Sequence, residues 1–226
     1  MNKNGHYIAK KFFTRENASS YNNVVKYGTF GFDNLWKREI NKRIRMDDRC
    51  ILDLACGTGI MGSLLLSTKL HMVIGSDLVF EYLLHAKKLG YSLLTNSVAE
   101  FLPYKSSTFD AVVSSYLVKY ADLKLMTYEH WRILKKGGVV IFHDFSYPTN
   151  KLIKSLWIGY FMILNGIGKI YTPWNNAFSE LDMVIKESHW TSDLVSELEK
   201  QGFISIIKRY YTLGTSAIVC AIKPLS

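Results

Sequence analysis

The sequence predicts an α/β fold: a doubly wound, mostly parallel seven-stranded sheet that ends in an antiparallel hairpin. Three observations predict it. Short apolar runs alternate with helix-periodic segments between residues 50 and 144, the rhythm of βαβ units with right-handed crossovers. A glycine-rich turn follows the first apolar run directly. Two further β-rich runs close the chain around Leu213-Gly214, which reads as a terminal hairpin.

Residues 1 to about 48 form a polar, aromatic-rich leader. Met1 to Lys11 is polar and basic with no apolar core of the kind a signal peptide carries. Asn17 to Tyr27 is rich in Asn, Ser and Tyr, poor material for a helix. Phe32 to Arg45 reads as a helix, because Leu35, Trp36, Ile40 and Ile44 recur at helical spacing.

Cys50 to Leu54 is the first buried strand. Gly57 to Gly62 is a tight loop that opens a helix over Met61 to Thr68. His71 to Asp77 is the second strand, Phe80 to Leu89 a helix closed by Gly90, and Tyr91 to Thr95 a short third strand. Phe109 to Ser115 is the fourth. A helix over Leu125 to Leu134 is expected to stop at Gly137-Gly138, before a fifth strand at Val139 to Asp144. Phe203 to Tyr211 and Ser216 to Lys223 make the hairpin. Between Pro148 and Trp190 the alternation breaks, and an inserted helical region over the site is expected there.

Composition narrows the class. The 226 residues are 48% hydrophobic, enough for a large core and against disorder. Three dispersed cysteines favour neither a disulfide framework nor a metal site and suit a reducing, cytoplasmic compartment. The net charge of +9 favours anionic partners. The lysines are scattered, however, and no run resembles a nucleic-acid arm.

The first loop carries the chemistry. Gly57, Gly59 and Gly62 fit the spacing of a dinucleotide loop. Asp53, four positions before the first glycine, argues otherwise. A carboxylate there repels a pyrophosphate, but suits S-adenosylmethionine (SAM), which presents an ammonium, a sulfonium and one carboxylate. Asp77 ends the second strand, where a carboxylate accepts ribose hydroxyls of either cofactor.

Ile51 to Gly59 (ILDLACGTG), Gly75-Ser76-Asp77, Phe109 to Val112 and Trp131 to Gly138 resemble the class I SAM methyltransferases. That resemblance implies a Rossmann-like fold with SAM as cofactor. Tyr21-Asn22-Asn23, Leu35 to Glu39 and Asp144 to Pro148 resemble the narrower group of ubiquinone/menaquinone-biosynthesis C-methyltransferases. This second resemblance implies methyl transfer to a ring carbon of a polyprenylated quinol. Another apolar small molecule or, further off, RNA is the alternative acceptor. The leader, 1–47, is expected to form helices and a lid, and 48–226 the SAM-binding domain with its insertion at about 149–190.

Cofactor contacts are expected at Tyr21, Asp53, Ala55, Gly57, Thr58, Gly59, Asp77, Leu78, Asn96, Ser97, Val98 and Ser114. Tyr21 is expected to close over SAM. Ser97-Val98-Ala99-Glu100 stands where the family has an Asp-Ala pair, which leaves Asn96 or backbone groups to read the adenine. Lys119 is the candidate phenolate stabiliser. His143 and Asp144 end the fifth strand on the ligand-binding edge of such sheets; Asp144 takes the family's Glu position, and His143 is either a base or a core residue.

Ser155 to Gly168 is uncharged but, at 14 residues, shorter than the roughly 20 that cross a bilayer. Lys151, Lys154 and Lys169 flank it. A lid over a prenyl tail, an interfacial helix at the inner face of the membrane, a packed core helix and a homodimer contact all remain open. No metal and no nucleic-acid partner is expected.

Overall fold

The computed structural model describes residues 3–67 and 72–226. The leader comes first, as α1 (Lys3–Phe12), α2 (Arg15–Ala18), α3 (Tyr21–Gly28) and α4 (Phe32–Asn41). The alternating part follows: β1 (Cys50–Leu54), α5 (Ile60–Leu66), β2 (Met72–Asp77), α6 (Phe80–Ala86), β3 (Leu93–Asn96), β4 (Phe109–Ser115), α7 (Leu123–Ile133) and β5 (Leu134–Phe145). Then come α8 (Lys151–Ile170), α9 (Asn175–Glu187), α10 (Trp190–Gln201) and the hairpin β6 (Ile204–Tyr211) and β7 (Ser216–Ile222).

Among the described residues the sheet has seven strands in the order β3-β2-β1-β4-β5-β7-β6. The first five run parallel, and β7 lies antiparallel between β5 and β6. β1 is buried along its whole length and reads as a continuous apolar run, as a strand covered on both faces must. One face packs Met126 and Ile133 of α7 with Trp190, Leu194 and Leu198 of α10. The other packs Ile40 of α4 with Met61 and Leu65 of α5. Strand order reverses between β1 and β4, so their C-terminal ends open a crevice.

Several expectations need correction. Asn17 to Tyr27 is not irregular, because α3 occupies most of it. Its polar residues are weak helix formers, but Tyr21 and Val24 pack against Trp174 and Phe178 of the insertion, and that contact outweighs propensity. The helix from Phe32 stops at Asn41 rather than Arg45. Gly137-Gly138 does not stop the helix before it: α7 ends at Ile133, and β5 runs through both glycines. Gly137 takes φ 76°, near the register shift between Phe109 and Ala111 on β4. The glycines of the apolar stretch leave α8 unbroken over 20 residues. The expected helix end at Thr68 and strand start at His71 lie outside the described residues.

Asn17 joins the leader to the rest. Its side chain is fully buried and meets four partners. The amide donates to the carbonyls of Phe12 (2.7 Å) and Pro173 (3.0 Å), and its oxygen accepts from Thr14 N (3.0 Å) and the Tyr82 hydroxyl (2.7 Å). Leader, insertion and α6 therefore meet at one fully satisfied amide.

Candidate active site

The glycine loop sits on the crevice edge. Ala55, Gly57 and Gly59 have positive φ, and Gly59 caps α5 in the left-handed conformation. Gly62 matters for space: a Cβ there would fall 1.8 Å from the Tyr91 hydroxyl. That hydroxyl donates to Asp53 Oδ2 at 2.6 Å. Asp53 thus lies one layer behind the loop, 1% exposed, and burial pushes its carboxyl up to about 7.

Asp77 faces the crevice. It accepts from Gly57 N at 2.7 Å and Val79 N at 2.8 Å. The first bond locks the loop to the end of β2 and the second holds the turn into α6, while burial pushes the carboxyl up to about 6. Around Asp77 is a cavity of about 80 Å³. Tyr21, Ala55, Gly57, Leu78, Ser97 and Val98, all candidate cofactor contacts, line it. Five other expected contacts stand outside its wall. They are Asp53, Thr58, whose hydroxyl bonds Asn22, Gly59, Asn96, whose amide holds the carbonyls of Asp77 and Leu78, and Ser114, buried with no hydroxyl partner among the described residues.

His6, Ala9 and Phe13 of the leader and Glu100 also line the wall. The sequence reading missed the acid at Glu100. It accepts from His6 Nε2 (3.0 Å) and Asp122 N (2.8 Å) and ties α1 over the cavity. A nucleoside-sized ligand takes ~300 Å³ or more, so it enters only with a shift of this leader roof.

The second cavity, about 790 Å³, lies between the leader, the sheet edge and the insertion. Its wall is almost wholly apolar or aromatic, and among the described residues Lys119 is its only charged lining residue. Lys119 stands in the turn after β4 and pairs with Asp144 at the end of β5; both side chains are at most 1% exposed. Burial lowers the Lys119 ammonium and raises the Asp144 carboxyl, each opposed by its partner. His143 points away, into the sheet-helix layer. It shares a 2.9 Å hydrogen bond with Ser216, and burial holds its imidazole well below the usual range. The structure thus pairs Lys119 in the wall with Asp144 behind it and leaves His143 under Trp36 and Tyr116.

Phe13, Tyr21, Tyr116 and Tyr120 line both cavities. An arrangement of one nucleoside-type crevice and one greasy chamber, meeting at shared aromatic walls, can bring two ligands into contact.

Known proteins share this chain's pattern along most of its length. The model of the ubiE/COQ5 methyltransferase family matches residues 2–223. The chain belongs to that family. The ubiquinone/menaquinone biosynthesis C-methyltransferase UbiE of Blochmanniella floridana is 30% identical over 223 residues, covering 91% of this chain and 86% of that protein. The demethylmenaquinone methyltransferase of Streptomyces avermitilis is 29% identical over 222 residues, covering 96% and 95%. In fold, a SAM-dependent methyltransferase of Thermotoga maritima superposes with a TM-score of 0.65 at 18% identity, covering 92% of this chain and 97% of that one.

The ubiE/COQ5 member described here is an enzyme, a methyltransferase whose cofactor is SAM. The residues fit that cofactor. Asp77 keeps lone pairs for ribose hydroxyls, since the backbone bonds it accepts do not fill its acceptor capacity. The left-handed loop allows close backbone approach. Asp77 in the wall supplies negative charge for a cationic ligand when ionised, and Asp53 adds to it from behind the loop once pH passes about 7.

Proposed function

We propose that this methyltransferase acts on a ring carbon of a polyprenylated quinol of the demethylmenaquinone or demethylubiquinone type. One observation carries the reading: among the described residues the apolar 790 Å³ chamber is lined by a single charged group, Lys119, which lies 5.2 Å from the ring of Tyr120, a residue that lines both cavities. A chamber of that kind suits a long hydrocarbon tail and a ring with one or two hydroxyls.

SAM supplies a methyl group on an electrophilic sulfonium. The protein's part is to orient, desolvate and move a proton. Lys119 meets the phenolic oxygen and favours its anionic form, which makes the adjoining ring carbon nucleophilic. Asp144 holds Lys119 through Oδ1 and keeps Oδ2 unpartnered among the described residues. Asp144 lies behind the chamber wall, so Lys119 passes a proton to it and takes the phenolic proton in exchange; the proton lost from the methylated ring carbon follows the same route after release of the first to solvent. The apolar wall keeps water from competing.

The outer face of α8 bears exposed Leu152, Leu156, Met162, Ile163 and Ile170, with Lys151 and Lys169 near its ends. Among the described residues no helix is long and apolar enough to cross a membrane. The exposed face suits shallow contact with an anionic membrane surface, and Leu156 and Ile163 also line the chamber. Acceptor entry from the bilayer fits that geometry.

The test is direct. Purified protein, methyl-labelled SAM and demethylated prenyl quinol should yield a labelled quinol and S-adenosylhomocysteine. Label on tail-free or RNA acceptors alone would overturn the reading.

A further inference from the structure

The proton and charge chemistry above leaves one buried ion pair unused. Lys37 and Asp33 lie one turn apart on α4 and pair with side chains only 5% and 4% exposed. Two charges removed from water are expensive, and a well-packed apolar pair often stabilises a fold better. Stability is therefore a weak reason for them.

The pair holds Tyr116. Its hydroxyl donates to Asp33 Oδ1 at 2.7 Å, and Lys37 Nζ lies 5.1 Å from the centre of its ring. The ring stacks on Phe145 and meets His143 edge-on, both at 5.0 Å. The backbone takes φ 66°, a region that bulky residues seldom adopt. It is held there by Tyr116 N donating to His143 O at 2.8 Å. Tyr116 also lines both cavities. Phe13 and Tyr21, which do the same, belong to the leader, and Tyr120, which also does, packs edge-on against Phe12 and Phe13 of the leader, whereas Tyr116 is fixed to the sheet edge.

We propose that Tyr116 is a positioning residue for methyl transfer: its ring, pinned through the hydroxyl by the Asp33–Lys37 pair, sets the passage between the cofactor crevice and the acceptor chamber. The inference rests on the reading of the two cavities as donor and acceptor sites. Transfer needs the reacting atoms within ~3–3.5 Å and in line, so a wall free to tilt loses rate without losing either ligand.

Tyr116→Phe removes one oxygen and keeps the ring, and Asp33→Asn weakens the same link from the other end. With SAM and demethylated prenyl quinol, each variant should lower kcat ten- to a hundredfold. KM for the quinol and Kd for SAM should stay within twofold. The double variant should be no slower than the worse single, because both cut one link. A Tyr116→Phe enzyme with kcat within twofold of wild type, a loss carried by KM, or losses that multiply would overturn the proposal. A wild type that methylates no quinol would instead sink the acceptor assignment. Tyr116 is then read without any acceptor, in isotope-labelled protein with S-adenosylhomocysteine. Separate resonances for the two ring edges, averaged in Asp33→Asn, support the pin; averaged resonances in wild type overturn it.

Discussion

Lys119, in the wall of the apolar chamber, donates to Asp144 Oδ1 behind it, and Asp144 Oδ2 has no hydrogen-bond partner among the described residues. One oxygen orients a cation while the other, buried with it, is free to hold a proton.

Substitutions at this pair should separate stability from activity. Asp144→Asn should lower kcat by about 10²- to 10³-fold, the range of a lost acid-base group, with SAM affinity kept. Lys119→Met strands a buried carboxylate and should cost about 3–5 kcal/mol in denaturant unfolding. Lys119→Met with Asp144→Leu should recover most of that stability and none of the activity. A double variant that methylates quinol at the wild-type rate would remove the pair from the chemistry. Burial raises the Asp144 carboxyl, so the acid limb of the kcat profile should lie above the ordinary carboxylate range.

Asp53 should make both stability and cofactor affinity depend on pH. Its folded-state pKa of about 7 exceeds the model-peptide value of about 3.9. A carboxyl raised on folding stabilises the protein fully below the lower value, and that contribution is lost as pH rises through about 7. Asp53→Asn should therefore melt above wild type at pH 8, with the gap closing toward pH 5. A cationic cofactor favours the ionised carboxylate, so SAM should bind more tightly as pH rises from 6 to 8. Asn at this position should flatten that dependence in calorimetric titration.

Gly62→Ala should damage the cofactor crevice from behind. The new methyl would overlap the Tyr91 hydroxyl that holds Asp53. Overpacking of this kind costs about 1–3 kcal/mol, visible as a lower Tm. SAM affinity should fall as well, because the Tyr91 ring must leave Asp53. An unchanged Tm together with unchanged SAM affinity would show that the loop gives way freely.

Leu152 and Met162 are 68% and 71% exposed and line neither cavity. Replacing both with Asp should reduce sedimentation with anionic vesicles by at least about tenfold, as expected when apolar contact with lipid is lost. Turnover of a tail-free quinol in detergent should be unchanged. Equal vesicle binding by wild type and variant would count against α8 as the contact.

Most of the sheet was legible in the sequence because its strands are covered on both sides. β1 and β4 match their expected bounds residue for residue, as continuous apolar runs between turn signals. The hairpin was legible from its two β-rich runs and the turn at Leu213-Gly214, although only β7 is buried and β6 is mostly exposed. α3 was not, since its support comes from Trp174 and Phe178, about 150 residues away in the chain. In the site, Asp77 and the loop were visible as a local pattern. Tyr116, Glu100 and His6 carried no such signal. Tyr116 follows directly on β4 with no motif around it and gains meaning only through Asp33, and His6 meets Glu100 only after α1 folds back over the crevice.

The four-way amide at Asn17 has a practical consequence for anyone trimming this protein. A chain begun at residue 48 would retain every strand, yet it would uncover the stacked faces of Trp174 and Phe178 and leave the Tyr82 hydroxyl and Pro173 carbonyl without Asn17. Such a fragment would be a sticky particle that clumps during expression rather than a smaller enzyme.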